Sequence, residues 1–425
     1  MIRENKRAIH RKISLGLTLA IAFVIPVSKG LLPLLIVLLA LNWLIEGEYI
    51  STIPLLFKER PRFLMLSFSA VYLLYLTGLF HTSNFQYARE DLEVKLSILV
   101  FPLIFATSAF PLFSKKETGI ILRFFAAGCI AGCLIFLGRA TYEALVLHKA
   151  GAFYYTGLAW NFHPSYYAMY IAFAVSNIIF FFAVKQEVAG SLKVALHILI
   201  LLFFTLMIVL LSSKAGLLLW LSVIGFYTVI LVFKCKRWVS GLTFLALAMT
   251  VFVILLLSFP NAATRVSQAK QDMTSSDAFE SSARSTGDRV LIWRASKEVV
   301  ERNFLIGVGT GDVRDELMTE YKKENVITIF KHYLNAHNQY IQTFIALGIC
   351  GLLLLVAMMA VPAIFSFRRE NYIYFAFLFI VAISMFVESM LERQEGVVFY
   401  VFFNTLLFSS AIADPDQHAW FSRES

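Results

Sequence analysis

Long apolar runs separated by short polar clusters recur along nearly the whole chain. A run of about 18 residues is long enough to cross roughly 30 Å of hydrocarbon as a helix. Lipid offers no partner to backbone N–H and C=O groups, so such runs close their hydrogen bonds internally. They are also too long and unbroken for barrel strands. The pattern predicts spans at about 13–28, 30–45, 63–80, 94–113, 119–147, 165–184, 194–211, 215–233, 239–258, 340–365, 372–388 and 397–412. Lys29 and Gly30 leave almost no loop between the first two. The basic head from Arg3 to Lys12 superficially resembles the start of a signal peptide. No small-residue cleavage site follows it, and a retained first helix is expected.

The expected fold is therefore all-α. It is a polytopic membrane protein with about 12 transmembrane helices and one large extracytoplasmic loop containing short helices. Residues 1–258 would hold helices 1–9, residues 259–339 the loop, and residues 340–425 helices 10–12 and a cytoplasmic tail, all in one integrated membrane domain. Lys and Arg concentrate in alternate short loops, which sets orientation. With the N-terminus inside, the basic head, Lys58/Arg60/Arg62, Lys115/Lys116, Lys185/Lys193, Lys234/Lys236/Arg237 and Arg368/Arg369 fall on the cytoplasmic side. The other side receives Lys29, Arg89, Lys149, Lys214 and Arg393 in its short loops. Both termini are then cytoplasmic.

Within the loop, residues 264–289 are rich in Ser, Ala, Thr, Asp and Arg. From Asp288 to Val300 the pattern turns helical, with Val290, Trp293, Val299 and Val300 as its apolar face. Gly307, Gly309 and Gly311 mark a turn, and residues 312–325 read as an amphipathic helix.

Composition agrees with this picture. Hydrophobic residues make up 59% of the chain and charged residues 15%, against roughly 25% charged in soluble domains. The net charge of +9 does not indicate nucleic acid, because the basic residues sit in topology-setting clusters rather than in a basic domain. Cys129, Cys133, Cys235 and Cys350 have no pairing across the loop, so no disulfide is expected. Cys129 and Cys133 share a helix face without an accompanying His or acidic cluster, which favours packing over metal binding.

Ionisable side chains at membrane depth are expensive and ask for a reason. Lys214, between two apolar runs, is either a snorkelling helix-end lysine or a fixed cation for an anionic ligand. Arg284 and Arg289 are either solvated loop charges or guanidinium forks for phosphate oxygens. Trp293, one turn after Arg289, would anchor its helix or stack on a sugar. The 307–311 glycines lack a strand–turn–helix setting, so no dinucleotide site is expected; a close approach of backbone amides to a ligand stays open. His337, beside Asn338 at the mouth of a helix, is a structural belt residue or a general base. His163-Pro164 opens the sixth span. Glu388, Glu392 and Glu395 flank Arg393, and could pair with it, orient a histidine or bind an acceptor.

These residues fall in a recognisable order. Arg289-Val-Leu-Ile-Trp293, Gly307-x-Gly-x-Gly311, His337-Asn-Gln-Tyr340, then Gly348 and Gly351, resemble the O-antigen ligase/polymerase family. Asn161-Phe-His-Pro-Ser-Tyr-Tyr-Ala168, Leu211-Ser-Ser-Lys-Ala-Gly216 and Glu388-Ser-Met-Leu-Glu392 with Gly396 fit the same pattern. The likeness covers about residues 160–412.

The resemblance implies a membrane glycosyltransferase, similar to the GT-C class, in a bacterial inner membrane with its main loop in the periplasm. Its donor would be a glycan on undecaprenyl diphosphate. Its acceptor would be lipid A–core for a ligase, or another repeat unit for a polymerase. No metal, cofactor or nucleic acid is implied. Arg289 and Lys214 would hold the diphosphate, with Arg284 sharing the load, and His337 would be the catalytic base. Trp293, Asn338, His163, Glu388 and Glu392 would support the site or the acceptor. Arginine is the family's expected residue where Lys214 stands, and lysine keeps the charge but loses the bidentate fork. A metal-independent, inverting displacement follows. The competing classes are a small-anion or lipid transporter, which would be expected to show internal repeats, and an assembly scaffold.

Overall fold

The computed structural model describes residues 2–108, 111–186, 190–259, 264, 286–323 and 335–412. Every regular element among them is helical. The chain forms two compact units. The first comprises Met1–Ile121, Asp277–Tyr374 and Met385–Ser425, the second Leu122–Ser276 and Phe375–Ser384.

Within the first unit, α1 (Ile2–Val24) and α2 (Leu32–Glu46) pair, followed by the short α3 (Tyr49–Thr52). Then come α4 (Arg60–Ser67), α5 (Ala70–Thr77), α6 (Phe85–Lys95) and α7 (Ser97–Thr107). The chain enters the second unit along α8 (Lys115–Leu145), which precedes α9 (Tyr155–Ala159) and α10 (Pro164–Ile179). After these lie α11 (Ser191–Leu211), α12 (Lys214–Val229) and α13 (Trp238–Ser258). The first unit resumes with α14 (Thr286–Arg302), α15 (Val313–Lys323) and α16 (Gln339–Arg368). The last two helices are α17 (Tyr372–Val387), whose middle belongs to the second unit, and α18 (Gln394–Ile412).

Among the described residues, seven helices are long and apolar enough to cross a membrane, or up to nine if each bent pair counts as one span. The other expected segments coincide with helices that fall short for identifiable reasons. The basic head shares α1 with its apolar half. Leu32–Glu46 stops at Gly47, whose φ of 74° ends the helix, and the next segment bends away by 72°. Arg60–Ser67 and Ala70–His81 meet at 46°. The 94–113 segment is divided, because α6 ends at Lys95 and α7 has only 11 residues. Helix α17 has 16 residues.

Of the expected loop 259–339, most of the polar stretch before Thr286 lies outside the described residues, Arg284 included. The helices anticipated at 288–300 and 312–325 appear as α14 and α15. The buried side of α14 differs from the sequence reading. Ile292, Ala295 and Val299 pack with Val313, Leu317 and Tyr321 of α15 and with Ile345 of α16, while Val290 is exposed. A spacing of three and four residues selects this stripe, and Val290 falls off it.

The glycine turn has a packing role in this arrangement. Gly307 and Gly309 adopt φ of 74° and 98°, and Gly348 breaks α16 with φ 62° and ψ −162°. The break frees carbonyls that the 307–309 amides then satisfy. Val308 N donates to Ile345 O at 2.8 Å and Gly309 N to Ala346 O at 3.0 Å, while Ile349 N donates to Phe304 O at 2.9 Å. A Cβ on Gly307 or Gly348 would run into the opposing backbone. The Val308 and Gly309 amides thus serve α16, not a ligand.

Candidate functional site

In the first unit, α14, the start of α16 and the segment after α17 bring their polar side chains together. Glu388 lies at the centre and is nearly buried, its side chain 11% exposed. Its Oε1 accepts from Arg289 Nη2 at 3.2 Å, and its Oε2 lies 3.3 Å from His337 Nδ1. One carboxylate thus contacts both a guanidinium and an imidazole, each through its own oxygen. Arg289 and His337 keep 30% and 27% of their side-chain surface open. A second molecule can therefore reach the pair.

The backbone around His337 is held from several directions. Its φ is 46°, a left-handed conformation that a side chain rarely adopts without support. Support comes from Asn335 Oδ1, which accepts from His337 N at 3.1 Å. Gln342 Oε1 accepts from Ala336 N at 3.1 Å, and Trp293 Nε1 donates to Ala336 O at 3.0 Å. Asn338 caps α16 by accepting from Ile341 N at 3.1 Å. The one-turn spacing of Arg289 and Trp293 thus places a cation toward Glu388 and a tether on the residue before His337. The Trp293 indole also meets Phe386 edge-on, with ring centroids 6.1 Å apart.

Three acids of the 388–395 segment each pair with a cation distant in sequence: Glu388 with Arg289, Glu392 with Lys95 at 3.0 Å, and Glu395 with Lys29 at 2.8 Å. Glu392, offered by sequence as a partner for a histidine, is therefore committed to Lys95. Lys95 also contacts Asp91 and lies over the Tyr75 ring, 4.7 Å from its centroid. The sequence reading missed Lys95, Asp91 and Gln339. Lys95 and Asp91 share one helix four residues apart, a spacing that signals a pair without saying where it is buried.

Lys214 and His163 belong to the second unit. His163 is the N-cap residue of α10, and Lys214 is the first residue of α12 behind the Ser213 cap. Ser165 Oγ and Ser213 Oγ lie 3.1 Å apart, so the two sequence motifs that carry His163 and Lys214 meet at one place in this unit.

Residues 197–356 match a family model described as Wzy_C, O-antigen ligase, which supports the O-antigen ligase-like family. No curated protein matches the chain. The matched stretch includes Lys214, Arg289, Trp293 and His337 and stops before Glu388 and Glu392.

Proposed function

We propose that this O-antigen ligase-like chain transfers a glycan from undecaprenyl diphosphate to lipid A–core at the extracytoplasmic face of a bacterial inner membrane. His337 acts as base and Arg289 as a cation for the diphosphate. The observation that carries this reading is the single carboxylate of Glu388 engaging both residues. A histidine that donates Nδ1–H to a carboxylate presents an unprotonated Nε2. Nε2 then takes the proton of the acceptor hydroxyl as its oxygen bonds to the anomeric carbon. The bond from that carbon to the diphosphate oxygen breaks, and undecaprenyl diphosphate leaves with the electron pair. The site gains one positive charge, on His337, as negative charge develops on the leaving group. Arg289 offers further N–H donors to the same charge, since one carboxylate contact does not exhaust a guanidinium. A single displacement from the opposite face inverts the anomeric centre.

Transfer from an undecaprenyl-diphosphate glycan to lipid A–core by the purified protein, without added metal, tests the proposal. Wild-type transfer that is lost in His337→Ala and in Arg289→Ala supports it. Lengthening of the lipid-linked glycan instead identifies a polymerase. Retention of the anomeric configuration would sink the single displacement. Transfer unaffected by both substitutions would remove the site, and solute uptake without transfer would favour a transporter.

A further inference from the structure

The Lys95 cluster is the least expected polar feature of the first unit. Lys95 is fully buried, and Asp91 and Glu392 are at most 9% exposed. A buried ion cluster is a poor source of stability, because desolvation offsets most of the attraction. Its value lies in what it fixes. Helix α6 packs against the short turn Met390–Glu392. That turn begins two residues after Glu388, and Met390 N donates back to Glu388 O at 2.8 Å. On its other side, Gln339 Oε1 accepts from Leu391 N at 2.6 Å. Gln339 Nε2 donates to Thr343 Oγ1 at 3.0 Å and reaches Glu392 Oε1 at 3.5 Å. Gln339 itself lies two residues beyond His337. The segment carrying Glu388 is therefore strapped at two points, to α6 through Lys95–Glu392 and to the mouth of α16 through Gln339.

We infer that Lys95 is a positioning residue which, by holding Glu392, sets the placement of the Glu388 carboxylate against His337 and Arg289. The inference rests on the site reading above. Lys95 is fully buried and paired with Asp91 and Glu392. It acts through the turn, and a displacement of the order of 1 Å at a catalytic constellation lowers a rate by about 10²-fold.

Two isosteric substitutions separate the strap from mere charge balance. Glu392→Gln leaves Lys95 paired with Asp91, and Asp91→Asn leaves it paired with Glu392. Both remove one carboxylate from the same buried cluster, but only the first cuts the ionic strap. Glu392→Gln is expected to lower kcat for transfer to lipid A–core by about tenfold or more. KM for the lipid-linked donor stays within about twofold, because the donor's own contacts are untouched. Asp91→Asn is expected to keep both constants near wild type. Cryo-EM structures of the two variants give a readout independent of activity. The His337–Glu388 contact is expected to open in Glu392→Gln and persist in Asp91→Asn. If Glu392→Gln does not fold, the apolar replacement Lys95→Met/Asp91→Leu/Glu392→Met removes the strap without stranding a charge, and the same slow turnover and opened contact are expected. Equal effects of the two single substitutions, or an unmoved His337–Glu388 contact after the strap is cut, overturn the inference. Should wild type transfer no glycan to any acceptor, the proposed function fails by itself, and the structures alone still decide whether Lys95 positions Glu388.

Discussion

The two units bury polar groups in different ways. In the second, many are neutral groups met by a nearby hydroxyl, thiol or carbonyl. Its buried acid Glu143 pairs, among the described residues, only with Arg139 and Lys149, four and six residues away. Cys133 Sγ lies 3.9 Å from the Tyr167 hydroxyl, which donates to Cys129 O at 3.4 Å. Ser176 and Tyr227 hydroxyls meet at 2.9 Å, and Trp220 Nε1 donates to Thr205 Oγ1 at 3.2 Å. In the first unit neutral pairs such as Tyr374 with Asn404 are joined by ions that meet across distant stretches of chain: Arg289 and His337 on Glu388, and Lys95 on Glu392 as well as on Asp91. Neutral hydroxyls and thiols stabilise packing at small desolvation cost. Ions in an apolar surround cost far more, and a chain that keeps several together in one place uses them. The difference teaches where to look for chemistry, and it can be broken by substitution.

The largest expected effect is at His337. Its replacement by alanine should lower glycan transfer by about 10²–10⁴-fold, the usual worth of a general base. The readout is product formation by the purified protein. Arg289→Lys is next. It keeps the charge and loses the planar fork that lies against Glu388, so transfer should fall by about tenfold or more. Full activity in that variant would make Arg289 a simple charge and weaken the contrast between the units. Gly348→Ala tests the frame beneath the ionic site. A methyl group meets the Leu305 carbonyl at a φ of 62°, so the folded yield in detergent should drop sharply. An unchanged melting temperature would show that α16 can straighten. In the second unit Cys133→Ser should lower stability by roughly 0.5–3 kcal/mol and leave transfer near wild type. A loss of transfer without a loss of stability would place chemistry in that neutral network too.

The smallest effect is a pH dependence away from the site. Burial acts against ionisation of Glu320, but hydrogen bonds from Arg302 at 2.6 Å and Lys323 at 3.2 Å outweigh it and hold the carboxyl below its usual range. A depressed carboxyl contributes stability above its unfolded value, about pH 4.3, and loses it as pH falls through the folded value. Thermal melts below about pH 5 should therefore fall less steeply in Glu320→Gln than in wild type. Parallel slopes would show that the Arg302–Glu320–Lys323 group contributes nothing.

Periodicity placed α14 and α15 well because one-turn spacing is local. It erred on Val290, since the choice among neighbouring apolar positions depends on the helices that come to meet them. The glycine stretch was legible as a turn, but its partner was not. The Gly348 break that needs the Val308 and Gly309 amides lies almost forty residues downstream. Glu388 and Glu392 looked alike in sequence, four residues apart in one short polar segment. The fold gives one to His337 and Arg289 and the other to Lys95.

The sequence by itself determined the helical class, the apolar lengths, and the order of Arg289, Trp293, His337 and Glu388. These follow from hydrophobic spacing and residue chemistry, which are local. Only the tertiary structure decided that Glu388 joins His337 to Arg289, that Trp293 tethers the backbone before His337, and that Lys95 is buried against Glu392. Those contacts join residues 43 to 297 positions apart. Charge and side-chain length determine which ions could pair, but the packing of α6, α14 and α16 around one polar segment selects the partners that meet.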